Sequence, residues 1–320
     1  MKSIKNILSK LNNSISLVMA LFVLSGCVND DLSLCGVSIK YTYTQNLDAE
    51  DKFVDYVDRV DLFVFDDKDR YVGRFYETGE IVKSPSFAMP LTLLEGDYTL
   101  IAWGNLNEDY LLSEFEPGVT TLHEAQLSLD RENSTVDRQL AAPLYFGMLE
   151  TNIKVDKIGK QIITIDMMQD TKYIKVVCLN LPLEDEYVSK DEYTCTITSR
   201  NGDYKFDNSI TGNDRLLYIP ESEADTTTIS NNFTTLREQN DYRVTSSKLL
   251  VRYDSQTRGQ SADLFEADLV KDLLLPASAV NNLDIEHDFT IELEFDWTSM
   301  AVTVRIGEWQ RIFQDYELYN

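Results

Sequence analysis

The residue types that carry most enzymatic and metal chemistry are thinly spread through this chain. There are two histidines, His123 and His287, far apart and without a neighbouring ligand pair. A metal centre or a nucleophile–base–acid triad needs a histidine beside a positioned partner, so each reads as a surface or packing residue. No Gly-x-Ser-x-Gly elbow, Cys-x-x-Cys pair, His-Glu-x-x-His helix or phosphate-cradling glycine loop occurs. The acidic run Asp66-Asp67-Lys68-Asp69-Arg70 invites a calcium reading. Alternate positions counted from Asp66 hold Lys68 and Arg70, which cannot ligate a hard cation, so the run reads as a hairpin turn. Carboxylates abound, but nothing singles out two of them as a glycosidase-like pair. No catalytic residue, metal or cofactor is assigned, and the chain is not expected to be an enzyme.

Cysteines are the other reactive group, and there are four: Cys27, Cys35, Cys178 and Cys195. Cys178 and Cys195 sit in neighbouring strand-like runs. A disulfide in an oxidising compartment and two facing buried thiols fit them equally well at the level of sequence. Cys27 has a more definite setting. Lys2, Lys5 and Lys10 are the only charges in the first 26 residues, and an apolar stretch from Ile15 to Leu24 follows. That stretch is short of the roughly 20 residues that span a bilayer and suits the core of a secretion signal. It closes on Leu24-Ser25-Gly26-Cys27, which resembles the lipobox of bacterial lipoprotein precursors. The resemblance implies cleavage between Gly26 and Cys27 and acylation, with palmitate among the chains, of the Cys27 sulfur. At roughly 0.8 kcal/mol per buried methylene, two or three acyl chains hold a protein durably on a membrane. Asp30 and Asp31 in the short polar tether resemble the acidic signal that sends some Bacteroides-type lipoproteins to the outer face of the outer membrane.

Charge narrows the partners. The chain carries −25, and losing three lysines with the signal makes the mature chain −28. So acidic a protein is repelled by nucleic acid and by anionic membrane faces. Its 17 tyrosines and 11% aromatic content give enough apolar material for packed cores, so acidity does not mean disorder here.

From residue 37 onward the patterning is β. Val37, Ile39, Tyr41 and Tyr43 alternate with polar residues at the period of a half-buried strand. Val60 to Phe65 and Tyr71 to Phe75 flank the acidic turn as a hairpin. Phe87 to Leu94 and Tyr98 to Trp103 flank Glu95-Gly96-Asp97, and 105–125 is less regular, with room for a short helix. A second series holds Ile162–Ile165, Tyr173–Leu179 and Tyr193–Thr198. The stretch 221–247, rich in Thr, Asn and Ser, has weak periodicity, and Ala267–Leu275 is ambiguous between strand and helix. Phe289–Phe295 and Ala301–Ile306 form the clearest hairpin. Many short strands with frequent turns mean stacked antiparallel sheets. The composition shift near 150–160 divides the chain into a signal (1–26), a lipidated tether (27–35) and two sandwiches in tandem (36–155 and 156–320).

In this order behind a lipobox, several motifs resemble the FimB-like anchor-subunit family of Bacteroides-type (type V) fimbriae. They are Cys35 with the Val37–Tyr43 strand; Val60-Asp61-Leu62-Phe63-Val64-Phe65-Asp66; Glu95 to Asn105 with its Ala102-Trp103-Gly104-Asn105 end; Tyr145-Phe146-Gly147; and Val302–Ile306 with Trp309. The family often has proline after the first cysteine and Asn-Gly-Trp near the end, where this chain has Gly36 and Gly307-Glu308-Trp309. The resemblance implies an all-β fold of two transthyretin-like sandwiches. It also implies a lipid-held role at the base of a fimbrium, limiting its length, with a fimbrial structural subunit as partner. Subunits of such fibres can join by strand addition, which directs attention to edge strands, the Phe289–Ile306 hairpin included. Two alternatives stand beside it: a tip or stalk subunit, and a glycan-binding surface lipoprotein using Trp103, Trp297 or Trp309, although packing in the core is the commoner fate of such tryptophans.

Overall fold

A computed structural model describes residues 36–154, 161–181, 190–212, 214–255 and 259–314. The signal, Gly26, Cys27, the Asp30-Asp31 tether and Cys35 lie outside the described residues.

The first sheet has seven strands in the order β3 (Tyr71–Thr78), β2 (Arg59–Asp66), β5 (Gly96–Gly104), β9 (Tyr145–Ile153), β10 (Gln161–Gln169), β1 (Val37–Gln45) and β4 (Met89–Leu91). Both faces of its centre are covered, which is why every residue from Val60 to Phe65 is buried, Asp61 included, and burial does not alternate. Val60, Leu62 and Val64 enter a core with Tyr41, Val57 and Leu100, while Phe63 and Phe65 enter a second core with Trp103 and Phe206. The acidic run is a turn between β2 and β3. The Asp66 carboxylate accepts from the backbone N–H groups of Lys68 and Arg70, both at 2.9 Å, and pairs with the Arg70 guanidinium at 2.7 Å.

The second half is a sandwich of two sheets. One runs β15 (Glu221–Ala224), β16 (Ile229–Leu236), β11 (Thr171–Leu179), β19 (Asp288–Asp296), β20 (Ala301–Ile306), β21 (Trp309–Gln314). The other runs β18 (Gln260–Asp268), β17 (Lys248–Ser255), β12 (Tyr193–Ser199), β14 (Leu216–Tyr218), β8 (Thr135–Val136). Alternate residues of β11 and β19 (Ile174, Val176, Ile291, Leu293) share a core with Ile197, Leu249 and Val251 from β12 and β17. A small sheet of β13 (Asp203–Lys205), β7 (Gln126–Leu129) and β6 (Tyr110–Leu112) completes the fold.

Four features depart from the sequence reading, and a fifth resolves what it left open. Gln161–Gln169, placed in the second half by the 155/156 division, pairs in parallel with β1, so sheet membership changes at Asp170. The halves also interlock, because β8 pairs with β14 and β7 with β13 across that division. Phe87–Leu94 does not form a hairpin with β5. Only Met89–Leu91 is a strand, and it pairs with β1 at the opposite edge, where Pro90 needs no outward N–H. Finally, 105–125 holds β6 and turns where a short helix had room, and Ala267–Leu275 is both elements in succession: β18 ends at Asp268, whose carboxylate caps the helical turn Leu269–Leu274 by accepting from Lys271 N–H at 2.7 Å.

Candidate functional site

Strands that end a sheet expose unpaired backbone groups, and proteins normally blunt them. Here β15 is fully exposed and carries Glu221 and Glu223. At the edge of the first sheet, the following loop covers only the start of β3, with Tyr71 N–H donating to Thr120 O and Gly118 N–H to Tyr71 O, both at 2.8 Å. Pro90 blunts β4, and β8 has two residues. Besides the remainder of β3, this leaves β18, nine residues long, and β21, six residues long, as extended open edges among the described residues.

They lie on the same side of the second sandwich, one from each sheet. Between them runs a groove of about 1250 Å³ with Leu264, Phe265, Met300, Val302 and Phe313 among its walls. Phe265 and Phe313 meet across it with ring centroids 5.3 Å apart. The rim is charged: Asp263 pairs with Arg252 at 3.2 Å, Glu266 with Lys248, and Asp272 with Arg311 at 3.5 Å. An apolar floor flanked by two open edges and a charged rim is suited to receiving an extended segment. Main-chain hydrogen bonds would supply affinity, and the floor would take alternate side chains.

The Phe289–Ile306 hairpin is not an edge. β19 and β20 are interior strands, and the open edge is the next strand, β21. Of the tryptophans, Trp103 is completely buried against Phe146 and Tyr204. Trp309 is half-buried. Trp297 is partly exposed but fixed, stacking on Phe295 and donating from Nε1 to Asn180 O at 2.7 Å. Cys178 on β11 and Cys195 on β12 are buried free thiols of the same core, one from each sheet of the sandwich. Burial and the neighbouring Cys178 thiol push the Cys195 thiol well above its ordinary value.

His123 is exposed, whereas His287 belongs to a buried polar junction that the sequence did not announce. Gln169-Asp170-Thr171-Lys172 looks like a solvated turn between two strands, yet all four are buried. The Lys172 ammonium donates to Leu283 O and to His287 Nδ1, the latter at 2.8 Å. Burial, then the adjacent ammonium, push His287 down to about 2, so it is the neutral acceptor. Burial also pulls Lys172 down to about 8 and raises Asp170 to about 6, against the pull of Arg237. Glu238, raised by burial to about 7, accepts from Ser247 Oγ at 2.6 Å and Asn201 Nδ2 at 3.1 Å. Tyr43 and Tyr145 of the first sheet both donate to Gln169 Oε1, at 3.4 and 3.3 Å. The junction thus fastens the two halves. The one signal available was a polar run too short to be a loop between two good strands.

The interlocked sheets with open strand edges define an all-β protein, and solved structures share the fold. A proposed polysaccharide-binding protein from Bacteroides thetaiotaomicron is similar at 26% identity with a TM-score of 0.75, over 89% of this chain and all of that one. The fimbrial anchor protein Mfa2 from Porphyromonas gingivalis superposes with a TM-score of 0.71 at 20% identity, over 86% of this chain and 98% of that one. In sequence, the minor fimbrium anchoring subunit Mfa2 of Porphyromonas gingivalis is 26% identical over 326 aligned residues, covering 95% of each chain. The profile of the Fimbrillin-A associated anchor proteins Mfa1 and Mfa2 matches residues 32–315, and the chain belongs to that family of fimbrial anchor subunits.

Proposed function

We propose that this chain is a non-catalytic lipoprotein of the outer membrane that holds the base of a fimbrium at the cell surface. It accepts a strand from a fimbrial structural subunit at the seam between β18 and β21, and by ending the fibre there it limits fibre length. The family supports the anchoring role, and the lipobox-like Leu24–Cys27 supports the lipid attachment. The observation that carries the strand-addition reading is the pair of open edges on one groove with an apolar floor and a charged rim. A subunit tied by lipid at Cys27 cannot travel outward with a growing fibre, which suits it to the last position.

The test is fibre recovery from cells carrying the native chain or Cys27→Ala, with a photo-crosslinking residue placed at Gln314 or, as control, at Glu223. The native chain is expected at the membrane-proximal end of fibres, with Cys27→Ala releasing fibres into the medium and only the Gln314 probe capturing a subunit. Absence of fibre protein beside the native chain overturns the anchor; recovery at the distal end or along the shaft makes it a tip or stalk subunit. Capture at Glu223 alone moves the contact to β15. A glycan-binding role is the second reading, favoured by the likeness to the proposed polysaccharide-binding protein. Quenching of Trp297, the most exposed of the three tryptophans, by a neutral glycan panel would support it.

A further inference from the structure

On the opposite half of the molecule a second pocket of about 350 Å³ opens beside β2 and β3. Arg59 and Arg74 form one wall, and Leu106, Asn107, Glu108 and Leu111 form the other. One completely buried carboxylate aims both arginines. Asp61 Oδ2 accepts from Arg59 Nε at 2.6 Å, and Oδ1 accepts from Arg59 Nη2 at 3.0 Å and from Arg74 Nε and Nη2 at 2.9 and 2.7 Å. Each guanidinium spends its Nε and Nη2 on Asp61, and neither Nη1 has a hydrogen-bond partner among the described residues. Both side chains remain about one-third exposed, at 34% and 33%.

The arrangement is more than a structural clamp needs. A single arginine in a bidentate fork would neutralise Asp61. The second leaves a net positive charge at a pocket wall in a protein whose overall balance is −25. The guanidiniums are also held in place by rings: Arg59 lies 5.0 Å from the centre of the exposed Tyr76 ring and Arg74 lies 5.1 Å from that of Phe63. Such stacking pre-organises a planar cation and reduces the entropy lost when it binds. Asn107 Oδ1 is used by the Asp109 N–H at 2.8 Å, which leaves its amide NH2 for a hydroxyl. The volume falls in the range of small-ligand sites, roughly 300–1,000 Å³.

We propose that this pocket binds the carboxylate of a hexuronate sugar, free or at the end of a glycan chain, through the Nη1 groups of Arg59 and Arg74. Leu106 and Leu111 cover the sugar's apolar face. Exposed Glu108 at the rim opposes a second negative charge, so the site prefers monoanions. This site is independent of the strand-accepting seam and of the tryptophans.

Titration calorimetry of the detergent-solubilised full chain with sodium glucuronate, glucose, sodium sulfate and a glucuronate-terminated tetrasaccharide tests it. Glucuronate is expected to bind at least about tenfold more tightly than glucose or sulfate. Arg59→Lys, which keeps an ion pair to Asp61 but loses the planar fork, is expected to weaken glucuronate about tenfold. Glu108→Gln, on an exposed side chain that leaves the fold intact, is expected to strengthen it about two- to threefold, a gain that a purely structural role would not produce. Tighter binding of the tetrasaccharide identifies a chain end as the ligand, and equal binding identifies the free acid. Glucuronate no tighter than glucose or sulfate, or affinity unmoved by Glu108→Gln, overturns the proposal.

Discussion

Phe265 on β18 and Phe313 on β21 meet edge to face, with planes at 83°, and they are the contact by which two otherwise separate sheet edges approach one another. Phe265 is buried and Phe313 half-buried, so the pair is worth more to one partner than to the other. Phe265→Ala is expected to cost about 3 kcal/mol and Phe313→Ala about 1–2 kcal/mol in urea unfolding, with a coupling of about 0.5–1.5 kcal/mol in the double-mutant cycle. A coupling of zero would mean that the seam is not held by this contact.

Asn105 offers a sharper test of the first sheet. Its carboxamide accepts from Asp58 N–H at 2.8 Å and Arg59 N–H at 3.3 Å and donates to Tyr56 O and Pro143 O, both at 3.0 Å. The residue is buried and sits at φ 60°, a conformation that favours asparagine or glycine. Asn105→Ala is therefore expected to cost about 2–4 kcal/mol, and Asn105→Gly somewhat less because it relieves the backbone but not the lost bonds. Chemical denaturation of both variants distinguishes the two contributions.

Glu238 makes stability depend on pH in a definite direction. Its folded value, about 7, is raised from an ordinary 4.5 by burial. A raised carboxylate contributes fully below its unfolded value and loses that contribution as pH climbs through the folded one. Between about pH 4.5 and pH 7 the stability of the wild type relative to Glu238→Gln is expected to fall by on the order of 2–3 kcal/mol. Taking the difference removes the relief of overall self-repulsion on acidification, which both proteins share. A difference that stays flat across this range would place the Glu238 carboxyl in water.

The thiols of Cys178 and Cys195 are buried in the same core, one from each sheet of the sandwich. On export, a protein dithiol–disulfide oxidant is expected to take two electrons and two protons from them and leave a disulfide, formed before the core closes. Non-reducing peptide mapping of the exported chain should find the two peptides joined. Two freely alkylated cysteines after denaturation would establish buried thiols instead.

The legibility of this fold followed the local physics of each element. β2–β3 and β19–β20 were readable because a strand-like run, rich in aromatic and β-branched residues in β2 and alternating in β19, agrees with an Asp-headed turn in both, with Asp296 capping its turn as Asp66 does. β16 was not, since Ser230, Asn231, Asn232, Thr234 and Thr235 present no apolar face. Asn231 is nevertheless buried, its side chain donating to Val176 O at 3.3 Å and accepting from Ser222 Oγ at 2.7 Å. β10 read correctly as a strand, but periodicity names no neighbour, and its partner β1 lies more than a hundred residues away. The ordered motifs pointed to the right family, in part because their residues have structural work. Gly147 belongs to one, and a Cβ there would come within 2.6 Å of Ile165. The seam was out of reach for a different cause. β21, with Gln310, Arg311 and Gln314, resembles a solvated tail, and only the stacking of the two sheets gives it an apolar side.

The parallel pairing of β1 with β10 has a mechanical side. β1 opens the described fold and runs for six consecutive rungs beside β10, from Val37 opposite Gln161 to Thr42 opposite Asp166, with β4 along its other edge. Under the lipid anchorage proposed above, tension from a membrane holding against drag on a fibre would enter at the amino end and act along that strand's own axis. It loads the rungs in shear, all at once, where a hairpin pulled at its open end would unzip one rung at a time. The first strand is thus built as a tensile grip.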